Sequence, residues 1–172
     1  DLAAPGGAIY AAINDNDYAN MQGTSMASPH VAGAAVLVKQ YLLATYPTKS
    51  PQEIEALVKH LLMSTAKAHV NKETTAYTSP RQQGAGIIDT AAAISTGLYL
   101  TGEDGYGSIT LGNVEDTFSF TVTLHNITNE DKTLNYSTQL TTDTAQNGLI
   151  TLAPRLLAEI PGGKVTVKAN SS

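Results

Sequence analysis

Gly23-Thr24-Ser25-Met26-Ala27-Ser28-Pro29-His30-Val31-Ala32-Gly33 opens an apolar run that continues to about Tyr46 through Ala34, Ala35, Val36, Leu37, Val38, Leu42 and Leu43. These residues fall on every side of a helix, and a helix apolar all round is expected to be buried. Its first turn is small and polar. A serine hydroxyl there meets unpaired amides that can donate to a developing oxyanion, and the positive helix end favours negative charge. Gly23 lets backbone come close, and the small neighbours leave the hydroxyl uncovered. Helix logic alone also offers a commoner assignment, in which Thr24 or Ser25 is an ordinary N-cap.

Upstream, residues 1–13 read as an extended stretch broken by Pro5, Gly6 and Gly7, with a polar turn at 14–17. Downstream, Ser50, Pro51 and Glu53 form a capping box with proline at the first helical position. The helix they start has an apolar stripe of Ile54, Leu57, Val58, Leu61 and Leu62, which places Glu53 and His60 toward solvent. A glycine-rich turn at 84–86 leads through Ile87 and Ile88 to a short helix capped by Asp89.

Near Gly97 the composition changes. Residues 1–97 hold 19 Ala and 9 Thr, whereas residues 98–172 hold 4 Ala and 13 Thr. Alanine suits closely packed helices and threonine a half-buried pleated surface, so a domain boundary is expected there, giving domains 1–97 and 98–172. In 117–126 the residues Phe118, Phe120, Val122 and Leu124 alternate with polar ones and predict a strand with one buried face. A turn at 129–132 leads to a second alternating run, Leu134, Tyr136, Thr138 and Leu140. Pro161-Gly162-Gly163 reads as a turn before a third run with Val165 and Val167. These antiparallel signals suggest part of a β-sandwich.

A net charge of -5 argues against a nucleic-acid binder, which needs a basic face for phosphates. No apolar run approaches the roughly 20 residues of a membrane-spanning helix. With Cys 0, disulfides and thiolate metal sites are excluded. His69 and His125 show no spacing that suggests a metal site. Ser64-Thr65-Ala66-Lys67 matches an S-x-x-K pattern but lacks the accompanying S-D-N and K-T-G signatures, so it is taken as chance. Ser25 is not an α/β-hydrolase elbow either, because Ala27 stands where that motif needs glycine. The short N-x-S/T patterns at Asn126, Asn135 and Asn170 are common by accident.

The eleven residues from Gly23 to Gly33 resemble the nucleophile motif of the subtilisin-like serine proteases, and Asp1-Leu2-Ala3-Ala4-Pro5-Gly6 resembles the segment a short distance before it in those enzymes. Ser79-Pro80-Arg81-Gln82-Gln83-Gly84-Ala85-Gly86, with Asp89 and the alanines at 91–93, is similar to the end of the catalytic domain in large bacterial cell-envelope proteinases of the lactocepin and streptococcal anaphylatoxin-peptidase type. There a fibronectin type III-like sandwich comes next. The resemblance therefore implies the C-terminal part of an α/β subtilisin-like catalytic domain over 1–97, then a partial all-β fibronectin type III-like sandwich over 98–172.

It also implies that Ser25 is the nucleophile of a serine endopeptidase and that its own N–H is one oxyanion donor. The triad of such enzymes runs Asp, His, Ser along the chain, and no histidine precedes Ser25. His30, five residues on, points about 140° away on the helix, so it cannot be the base and is read as a helix-packing residue. The histidine, the aspartate and the oxyanion asparagine are expected from an upstream part of the same protease. The expected substrate is an extracellular protein or peptide, the expected setting the bacterial cell wall or the secreted fraction. No cofactor is expected in this chain, and calcium is a candidate only for the complete enzyme. The competing reading is a non-catalytic extracellular protein-binding module with an inert serine segment.

Overall fold

The computed structural model describes residues 1–114 and 116–172, with the side chains at 145, 146 and 150–152 left aside. Residues Ile9–Ile13 (β1) and Asp17–Met21 (β2) form an antiparallel hairpin through a 3-10 turn at Asn14–Asn16, with Tyr10 stacked on Tyr18. Two helices follow, Thr24–Thr45 (α1) and Pro51–Ser64 (α2), then the short Pro80–Gln83 (α3) and Thr90–Thr96 (α4). Strand Leu98–Thr101 (β3) pairs with Thr123–Asn126 (β4), and Lys132–Gln146 (β5) pairs with Leu149–Val167 (β6).

Local signals are realised where they are self-contained. Ser50 Oγ accepts from Glu53 N while the Glu53 carboxylate accepts from Ser50 N at 2.8 Å, with Pro51 at the first helical position. Asp89 caps α4 by accepting from Ala92 N at 3.0 Å and pairs with Lys67 at 2.6 Å, and the Lys67 hydrogen bond holds its carboxyl below the usual carboxylate range. The core joins one face of α1, with Ala34, Val38 and Leu42, to Ile54, Leu57, Leu61 and Leu62 of α2 and Ala93 of α4.

Four expectations are revised. The helix α1 is apolar all round but covered on one face within this chain: Val36, Leu37 and Leu43 are exposed. The alternating run at 117–126 is strand only over Thr123–Asn126, with Phe118, Phe120 and Val122 exposed. Its partner β3 is four residues long, and a pleated run without a partner has no ladder to join. The turn falls at Asn147-Gly148, both with positive φ, as a two-residue hairpin loop requires. Pro161-Gly162-Gly163 lies inside β6 at a bulge opposite Tyr136, where a side chain at Gly162 would run into the Tyr136 carbonyl. Among the described residues the second half is therefore two two-stranded sheets and no closed sandwich.

The fourth revision concerns His60, which lies half-buried rather than in solvent. Its ring packs at 5.1 Å from Tyr99, which stacks in turn on His125 at 4.5 Å. His125 Nε2 is 2.8 Å from Thr101 Oγ1, whereas His60 Nδ1 is buried with no partner among the described residues. Asn126 beside it is 2% exposed, its side chain donating to the carbonyls of Glu130 and Lys168 and accepting from Thr128, so the N-x-T pattern there is a structural hub.

Burial, then the nearby His125 and Lys59, holds His60 below the ordinary imidazole value, and burial does the same to His125. Between the depressed folded value and the ordinary one, the unfolded chain binds more protons, so stability rises with pH through that window. It is fully present above about pH 6.5 and lost as pH falls below it. Urea unfolding should give a lower midpoint at pH 5 than at pH 7.5, and His60→Phe should narrow that difference. An unchanged difference would show that the ring stack is not its source.

Candidate functional site

The site is built where three pieces of backbone meet. Ala3 N donates to Gly86 O at 2.8 Å and Ile88 N to Ala3 O at 2.9 Å, which lays residues 1–6 beside the glycine-rich turn. Gly23 N then donates to Gly6 O at 2.8 Å, tying that extended segment to the start of α1. Glycine is needed on both sides of this tie. A Cβ at Gly6 would lie 2.7 Å from Gly23 O and 3.1 Å from Ala27 Cβ, and Gly23 has φ 141°.

Gly23 is the N-cap of α1, so the capping role open to Thr24 or Ser25 belongs to neither. Gly23 O accepts from Met26 N at 3.1 Å and Ala27 N at 3.2 Å. Thr24 and Ser25 are then the first two helical residues, whose amides have no acceptor within the helix. Both side chains are exposed. Pro29 carries no N–H, so the Ser25 carbonyl lacks its usual donor four residues on. The result is a serine at a positive helix end, with free amides beside it and no bulky neighbour over it.

The histidines do not converge on it. His30 is exposed rather than packed: its Nδ1 lies 2.8 Å from the Met26 carbonyl, and burial on α1 begins only one turn further on, at Ala34. His60 and His125 sit in the ring stack between α2 and the β3–β4 pair, and His69 Nδ1 is 2.8 Å from Thr78 Oγ1. Among the described residues no three His, Asp or Glu side chains gather as a metal site. Among the described residues no helix is long and apolar enough to cross a membrane.

Residues 1–86 match the model of the subtilase family. The chain belongs to the subtilase family. Residues 109–172 match an Fn3-like domain. This subtilase chain is 41% identical over 173 residues to a C5a peptidase of Streptococcus pyogenes serotype M1, covering 100% of this chain and 15% of that protein. A PI-type proteinase of Lactococcus lactis subsp. cremoris is 35% identical over 158 residues, covering 84% of this chain and 8% of its own length. The chain thus spans a small part of these relatives.

The tie between Gly6 and Gly23 makes a direct prediction for this subtilase segment. Gly6→Ala should cost about 1–3 kcal/mol by forcing the two backbones apart, read as a lower urea midpoint. The same substitution at Gly7, where an added Cβ meets nothing within 4 Å, should leave the midpoint nearly unchanged.

Proposed function

We propose that the chain is the nucleophile-bearing part of a subtilisin-like serine endopeptidase, with Ser25 as the attacking residue. The observation that carries this reading is the position of Ser25: second in α1, exposed, released from capping by Gly23, within the residues that match the subtilase family. In the reaction Ser25 Oγ bonds to the substrate carbonyl carbon while a histidine takes its proton. The oxyanion that forms is met by the Ser25 amide at the helix end. Collapse expels the amine, which leaves with that proton, and water then releases the acyl group by the same steps.

The histidine, its orienting aspartate and a side-chain oxyanion donor come from polypeptide other than these 172 residues. The substrates are extracellular proteins or peptides, in keeping with relatives named as a C5a peptidase and a PI-type proteinase. The exposed face of α1 with Val36, Leu37 and Leu43 is covered by the rest of that catalytic domain, since contiguous apolar surface of this kind is seldom left in water.

A fluorophosphonate probe tests this. The isolated chain should neither label nor cleave peptides, because a serine without a base is a weak nucleophile at neutral pH. The complete protease should label, and Ser25→Ala should abolish labelling. A labelled isolated chain, or a complete protein that ignores the probe, would reject the reading.

Met26, next to the nucleophile and partly exposed, should be the sensitive residue under peroxide. A sulfoxide there sets a polar, bulkier group beside the reacting centre. Peptide mapping should find the loss of activity tracking Met26 oxidation, and Met26→Leu should resist it.

A further inference from the structure

The loop between α2 and α3 is fastened to the second half of the chain by one nearly buried carboxylate. Ser79 is 4% exposed, and its hydroxyl donates to Asp143 Oδ2 at 3.0 Å across 64 residues of sequence. The Asp143 side chain is 14% exposed, and Arg81 Nη1 stands 4.0 Å from the same oxygen. Tyr77 N adds a long bond of 3.4 Å to Gln139 Oε1 on the same strand. A carboxylate removed from water is costly unless it is hydrogen-bonded, and a charge-assisted bond is about twice as strong as a neutral one.

The same Ser79 hydroxyl accepts from Arg81 N at 3.3 Å and starts α3, whose Gln83 side chain clamps the loop by accepting from His69 N and donating to Thr78 O, each at 2.6 Å. Immediately after α3, Ala85 N donates to Asp1 O at 2.9 Å and Gly86 O accepts from Ala3 N. Those bonds carry residues 1–6, and Gly6 holds Gly23. An unbroken set of hydrogen bonds and short backbone therefore runs from Asp143 in the Fn3-like half to the turn that presents Ser25.

We propose that Asp143 is a positioning residue for Ser25, acting through Ser79 and the segment 80–86. The effect on Ser25 rests on the reading of that residue as the nucleophile. The docking of β5 on the loop does not.

The test uses the complete protease with Asp143→Ala, Asp143→Asn, Ser79→Ala and the Asp143→Ala/Ser79→Ala pair. Fluorophosphonate labelling is resolved into probe affinity and maximal rate, and deuterium uptake is followed at 1–7 and 77–86. Asp143→Ala should lower the maximal rate about tenfold, with affinity unchanged, and raise uptake in both segments. Asp143→Asn still offers an oxygen to Ser79 and should recover most of the rate. The double variant should lose less than the sum of the two single losses, because each single already removes the Ser79–Asp143 bond.

A wild-type rate in Asp143→Ala, or additive losses in the double variant, would overturn the positioning role. If Asp143→Ala does not fold, Ser79→Ala carries the same expectations and the same refutation. If the wild-type enzyme fails to label, it is the nucleophile reading that fails. Unchanged uptake at 77–86 would then still overturn the clasp.

Discussion

The Gly6 carbonyl accepting the Gly23 amide is the contact on which the site depends. It joins an extended segment that is hydrogen-bonded elsewhere to Gly86 and Ile88 with the first turn of α1. Side chains take no part in it. The two glycines are there because backbone must approach backbone within hydrogen-bond distance, and any Cβ at Gly6 would occupy the space of the Gly23 carbonyl. Once Gly23 serves as both cap and anchor, its carbonyl closes the first turn and leaves Thr24 and Ser25 unused by the helix. The exposed serine and the tight backbone contact are two aspects of one arrangement.

The core supports that arrangement from a distance. Val38 and Leu42 of α1 are fully buried against Ile54 and Leu61 of α2, and replacing the larger of such residues by alanine typically costs about 2–5 kcal/mol. The capping box at Ser50 fixes where α2 begins, so the stripe of α2 meets α1 in register. At the edge of its apolar stripe α2 carries His60, against which Tyr99 of β3 packs. The aromatic stack therefore joins the helical half to the first strand pair of the second half.

Much of this was legible in local sequence. The polar turn at 14–17, the box at Ser50 and the cap at Asp89 involve residues within a few positions of one another, and their chemistry decides the outcome. Misreadings arose where a distant partner decides. His60 borders the apolar stripe of α2, and only the arrival of Tyr99 buries it. Phe118 and Phe120 alternate as a strand should, but β3 ends before reaching them. Asn147-Gly148 is the stronger turn signal in the sequence; Pro161-Gly162-Gly163 carries a similar signature because proline and glycine also mark bulges. At Ser25 the choice between cap and exposed hydroxyl turned on the φ of Gly23, which sequence does not display.

The placement of the burial along α1 explains why backbone contacts matter so much at its start. The first buried residue after Ser25 is Ala34, nine positions on; at about 1.5 Å per residue this is more than 13 Å of helix. Helix ends fray unless something outside the helix holds them. At the Ser25 end the hold comes from Gly6, and Gly6 is held by residues 1–3, which are held by the turn after α3. Rigidity at this serine is thus borrowed from the loop that contains Ser79 and Gln83.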